Sequence, residues 1–197
     1  MGKRKKRRKD LERKKVMLPK SAYNLIIAEA TEAWKKEIFG VIGGRGKNVY
    51  YVKEVFTSQT ADKKYASVEC FGYREARLKD SIERSGDIFI GDYHSHTDHH
   101  GSRKDWGLSD LDKEWLKEHP EYFSIVICLE EVCSLHDYLR MHDRAIIGPS
   151  TARDRESLNI VHKLRTALRG YYYDEKRKLF LKTDIVPTNG LGDLLIN

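Results

Sequence analysis

Cysteine is scarce in this chain. Its 197 residues include three, Cys70, Cys128 and Cys133, an odd and widely spaced set. That excludes a disulfide framework and points to a reducing compartment. Long apolar runs are also missing. The best of them, Phe123 to Leu129, is interrupted by Ser124 and falls far short of the roughly 20 residues that cross a bilayer as a helix. The basic start leads into further charge rather than an apolar stretch, so no secretory signal is expected. Lys6 stands where a myristoylation start requires Ser or Thr. The expected location is cytoplasmic, or nuclear if the source is eukaryotic. There is no internal repeat, no phosphate-binding P-loop, no dinucleotide-binding glycine pattern and no H-E-x-x-H.

What the chain has in surplus is charge, and that charge is uneven. Residues 1–20 carry eleven Lys or Arg against Asp10 and Glu12, a net of +9, whereas the whole chain is +7. The remainder is therefore mildly acidic, and the basic character belongs to the start. Residues 1–17 read as a polybasic tail, disordered on its own, and residues 18–197 as one folded domain. Bare Lys/Arg runs attract phosphate without sequence preference, so the tail is a candidate contact for nucleic acid or another polyanion. It lacks the interleaved aromatics that stack bases.

Along the domain, Ala22, Ile26, Ala30 and Ala33 or Trp34 recur at helical spacing, which predicts a helix from about Ser21 to Lys36. Ile38 to Ile42 reads as a strand ending at Gly43-Gly44, and Asn48 to Ser58 as a second strand after a turn at Gly46-Lys47-Asn48. Further strands are predicted over Tyr65–Cys70, Ile88–Tyr93 and Tyr122–Leu129, with helices over Arg74–Arg84 and Ser109–Glu118. Gly170–Tyr173 and Leu179–Ile185 read as a hairpin. The segment 152–169 fits helix and strand equally. Strands with interspersed helices in no strict alternation indicate an α+β or three-layer α/β/α domain.

The chemistry concentrates where the strand Ile88–Tyr93 runs into His94-Ser95-His96. Period two puts both imidazoles on one face and Ser95 on the other, a geometry suited to two ligands of one metal. A third ligand must come from elsewhere, leaving a fourth tetrahedral position open. Downstream lies Ser109-x-x-Asp112 at a helix start; upstream, Glu37-Ile38-Phe39-Gly40 leads from the first helix into a strand.

A glutamate, an H-S-H and an S-x-x-D in this order resemble the JAMM/MPN+ (JAB domain) metalloisopeptidases over about Pro19 to Leu129. The resemblance implies an MPN-type, cytidine-deaminase-like α/β/α sandwich around a mixed β-sheet. It implies one zinc per chain held by His94, His96 and Asp112, with Glu37 as general base and Ser109 beside the oxyanion. The implied substrate is a conjugate of a ubiquitin-like modifier with a lysine ε-amine. Two departures stand out. Thr97 occupies the place of the family's proline, and twelve residues rather than seven separate His96 from Ser109. A loop tolerates such an insertion, because closure costs little per added residue.

Other readings compete for the same residues. His94-x-His96-x-Asp98-His99 also resembles the first metal motif of the metallo-β-lactamase superfamily, with Asp98 and His99 on a second ion. That family needs a later histidine in a glycine-rich turn, which His119, His136, His142 and His162 lack, and it leaves Glu37-x-x-Gly40 without a role. Ser109-x-x-Asp112 alone fits a helix capping box. Glu37 alone fits a solvated helix end. A non-catalytic MPN scaffold that binds nucleic acid through its tail is the third possibility, and scaffolds of that kind have typically lost ligands. Cys128, Cys133, His136 and His142 do not make a zinc finger, since only two residues separate Cys133 from His136. The zinc hydrolase reading accounts for the most residues.

Overall fold

Val16 and Leu18 lie two apart on one face of strand β1 (Lys15–Pro19), and both are fully buried. The computed structural model describes residues 13–34, 36–58, 62–63, 68–69, 72–97, 107–131, 146–153 and 161–188. Residues 15–17, which charge alone groups with the tail, therefore belong to the sheet. Lys14 is tied down as well: its ammonium donates to the Tyr50 hydroxyl at 2.8 Å and the Pro120 carbonyl at 3.1 Å. Charge counting misplaces this boundary because the burial of Val16 and Leu18 outweighs the charge of the lysines on either side of them.

Helix α1 (Lys20–Glu32) follows at once from Pro19, and buries Ala22, Ile26 and Ala30, spaced four apart on one face. It stops four residues short of the predicted Lys36. The Ala33 N–H bonds the Glu29 carbonyl and the Trp34 N–H the Thr31 carbonyl, and the chain then turns to deliver the fully buried Ile38 to the sheet. Glu37 accordingly sits in the connection between α1 and β2 (Phe39–Arg45), not on the helix. Gly43 and Gly44 lie inside β2 rather than ending it. A side chain on Gly44 would meet the Tyr51 carbonyl at 2.1 Å, at the point where the register against β3 (Val49–Thr57) shifts.

Among the described residues the two-residue strands β4 (Asp62–Lys63) and β5 (Val68–Glu69) pair only with each other. Helix α2 (Gly72–Arg84) leads into β6 (Ile88–Thr97), and α3 (Asp110–Glu118) into β7 (Phe123–Glu131). β8 (Ile146–Arg153) precedes the hairpin of β9 (Val161–Asp174) and β10 (Leu179–Thr188). The described part of the segment left open by periodicity, residues 152–153 and 161–169, is thus strand.

The main sheet is eight-stranded and mixed, in the order β10-β1-β3-β2-β6-β7-β9-β8. It is not the open layer of the expected α/β/α sandwich. β9 has 14 residues; one of its edges takes β7 over residues 164–171, while the other takes β8 over 161–168 and then β10 over 170–174. The pairing of β9 with β10 closes the sheet on itself. Helices still lie on both faces. α1 packs into the inner cluster with Ile42, Tyr93, Ile125, Ile127 and Leu168. α2 and α3 cover the outer face, α2 over Val41 and Phe89, α3 over Val126 and Cys128. Among the described residues no helix is long and apolar enough to cross a membrane.

Candidate metal centre

Strand β6 does not keep a single alternation along its length. Phe89 packs on the outer face beneath α2, yet Tyr93, an even number of residues later, packs in the inner cluster. The cause is a bulge. Against β2, Ile42 pairs Gly91 and Gly43 pairs Phe89, which leaves Ile90 as the extra residue. A bulge reverses which face the following residues occupy. From Gly91 onward, Tyr93 and Ser95 face the core, while Asp92, His94 and His96 face outward. α3 approaches that outer surface.

Ser109 caps α3, and the capping box is complete. The Asp112 N–H donates to the Ser109 hydroxyl at 3.2 Å, and the Ser109 N–H donates to Asp112 Oδ2 at 2.6 Å. The cap fixes the Asp112 carboxylate against the two imidazoles. His94 Nε2 lies 3.4 Å from Asp112 Oδ1, and His96 Nε2 lies 3.6 Å from Asp112 Oδ2. One ligand atom from each residue falls within 4.8 Å of the others. Zinc bonds of roughly 2.0–2.1 Å at a tetrahedral angle require donors about 3.4 Å apart. The donor set fits zinc in type as well, with two imidazoles and one carboxylate. Among the described residues His94 Nε2 is also buried without a hydrogen-bond partner, which is costly unless a cation or proton is shared there.

The electrostatics agree with a cation-binding pocket. Burial lowers the His94 pKa, but Asp112 and Asp92 outweigh it and raise it to about 10. Burial raises the Asp112 carboxyl, and the two histidines more than reverse that, holding it far below the usual carboxylate range. Both residues therefore favour one positive charge between them. Glu37 differs. Burial pushes its carboxyl above the ordinary value, only partly opposed by the charges of His96 and His94. A carboxylate with a raised pKa accepts a proton more readily, the property a general base needs.

The inner side of β6 holds Glu37 in register. The Ile38 N–H donates to Ser95 Oγ at 2.9 Å, and the Ser95 N–H to the Ile38 carbonyl at 3.1 Å. The residue after Glu37 is thus clamped to the residue between the two histidines. Gly40 has a steric reason: a side chain there would meet the Tyr93 ring at 2.2 Å. Tyr93 in turn donates to Glu29 Oε2 at 2.7 Å, beside Thr57. The glutamate-x-x-glycine spacing follows from what Ser95 and Tyr93 require on the neighbouring strand.

Sequence reasoning missed Asp92 and Ser124. Ser124 on β7 donates to Asp92 Oδ1 at 2.6 Å and lies 3.5 Å from His94 Nδ1, and Asp92 Oδ1 lies 3.6 Å from the same nitrogen. The available signal was an aspartate in an apolar strand at same-face spacing from a histidine. Asp98 and His99 of the rival motif lie outside the described residues, as do Cys70, Cys133, His136 and His142. Cys128 is buried beneath α3, and burial pushes its thiol up to about 12.

A model of the family described as prokaryotic homologs of the JAB domain matches residues 19–132, the span that holds Glu37, His94, His96, Ser109 and Asp112. Among solved structures, the solution structure of protein DSY2949 from Desulfitobacterium hafniense resembles this chain with a TM-score of 0.58. At 16% identity, covering 90% of this chain and 96% of that one, the likeness is one of fold. No curated protein matches the chain.

Proposed function

The chain belongs to the family of prokaryotic homologs of the JAB domain, and from that premise we propose that it is a single-zinc peptidase acting on isopeptide-linked ubiquitin-like conjugates. The observation that carries the reading is the convergence of His94, His96 and Asp112 next to a glutamate whose carboxyl is raised by burial. Zinc held by those three residues would supply Lewis acidity for attack of water on the scissile carbonyl. Glu37 takes the proton of the attacking water and returns it to the leaving lysine amine. Ser109 keeps its hydroxyl hydrogen while its oxygen accepts from the Asp112 N–H, so it can donate to the developing oxyanion. Asp112 is oriented by the cap, and Glu37 by Ser95. The basic tail is assigned the separate role of holding the protein near a polyanion.

The test is Glu37→Gln. It should keep about one zinc per chain and lose roughly 100- to 10,000-fold in turnover of an isopeptide-linked conjugate, the range for general acid–base groups. Wild-type turnover should fall as pH drops through the raised Glu37 value, because the base must be ionised to work. Full activity in the variant removes Glu37 from the mechanism. Wild type without zinc removes the metal.

A further inference from the structure

His94 is flanked by carboxylates on both edges of its ring. Asp112 faces Nε2, on the side of the candidate centre, while Asp92 and Ser124 face Nδ1 on the far side. Asp92, His94 and Ser124 are 5%, 6% and 1% exposed, so the far side is sealed from solvent. Burying a carboxylate is expensive unless a nearby charge compensates it, and Asp92 reaches no part of the cluster except His94. Metal-bound imidazoles characteristically donate their second ring N–H to an oxygen acceptor that fixes tautomer and ring orientation.

We infer that Asp92 and Ser124 form a positioning pair that holds the proton of His94 on Nδ1 and keeps Nε2 turned to the metal. The inference rests on the zinc reading above. The Ser124 hydroxyl spends its hydrogen on Asp92 Oδ1 at 2.6 Å, so toward His94 its oxygen can only accept. The Nδ1–H therefore has Ser124 Oγ as its acceptor at 3.5 Å, with the Asp92 carboxylate 3.6 Å away as its electrostatic partner. Ser124 keeps the carboxylate in place, and the carboxylate raises the basicity of Nε2 through the ring. The pair exists because β6 and β7 run in parallel with Asp92 opposite Ser124 and His94 opposite Val126. No residue of the pair could reach the metal itself, since the ring stands between.

The experiment measures zinc affinity of the full chain by competition with a chromophoric chelator, for wild type, Asp92→Asn, Asp92→Ala and Ser124→Ala. Imidazole nitrogen NMR of the zinc-loaded wild type locates the His94 proton. The expected result is a proton on Nδ1 and an affinity loss of roughly 10- to 100-fold for both Asp92 variants, with a smaller loss for Ser124→Ala. Melting of the zinc-saturated variants should stay near wild type, which a merely structural role would not predict. A folded Asp92→Asn with wild-type affinity overturns the inference, as does a His94 proton on Nε2 in the zinc-loaded wild type, even if the Asp92 variants fail to fold. Wild type that binds no zinc overturns the metal reading and this inference with it, so the two failures are told apart by the wild-type measurement alone.

Discussion

The two faces of β6 divide the labour of the site. Outward, His94 and His96 present ring nitrogens to Asp112 of α3, with Asp92 behind His94 on the far edge of its ring. Inward, Tyr93 and Ser95 present none to the site and instead bind Glu29 and the Ile38 amide. The outer residues can hold charge only because the inner ones fix where the strand and Glu37 lie. Preorganised groups cost nothing to arrange at the moment of reaction, and here the arranging is done from behind. A site of this kind cannot be understood from its exposed atoms alone.

Substitutions on the outer side should cost function before they cost the fold. Asp112→Ala should have the largest effect, taking zinc from about one per chain to near none in the purified protein, because two imidazoles alone make a poor open site. Asp98→Ala and His99→Ala should keep the zinc. Two metals per wild-type chain, one of them lost with Asp98 or His99, would instead favour the lactamase-like arrangement. Ser109→Ala comes next. Loss of the cap should cost about 1 kcal/mol, and loss of an oxyanion donor roughly 100- to 1,000-fold in turnover with zinc retained. A stability loss with normal turnover would reduce Ser109 to a cap.

The inner side predicts the reverse order. Ser95→Ala leaves the buried Ile38 N–H without its side-chain acceptor, at a cost of about 1–3 kcal/mol. For a domain of this size that lowers the melting temperature by about 2–4 °C per kcal/mol. Zinc should stay bound, kcat should fall more than KM changes, and Ser95→Thr should restore it by returning a hydroxyl. Unchanged melting in Ser95→Ala would show that the two faces are not coupled as described.

Much of this was legible in the residues. The same-face placement of His94 and His96 follows from period two, and the order of Glu37, H-S-H and S-x-x-D carried the family resemblance. Three things were not legible. The end of α1 depends on where Ile38 must enter the sheet, which local periodicity does not contain. The closure of the sheet depends on β9 reaching past β8 to β10, a pairing between residues far apart in sequence. The bulge at Ile90 is defined only against β2, so alternation counted from Phe89 assigns the histidines to the wrong face. Asp92 was legible by its spacing from His94, but its partner Ser124 lies on β7 and is set opposite it only by the parallel pairing of the two strands.

That bulge sets an asymmetry in what this gene can tolerate. Between His96 and Ser109 a change of length costs little, because closing a longer connection adds only a small entropy per residue. Between Phe89 and His96 there is no such slack. Removing or adding one residue would rotate the rest of the strand by half a period, send both imidazoles into the aliphatic core and bring Tyr93 and Ser95 to the surface. In comparing related chains, the informative invariant is then the count from the extra residue in the strand to the first histidine, and not the spacing from the histidines to the aspartate.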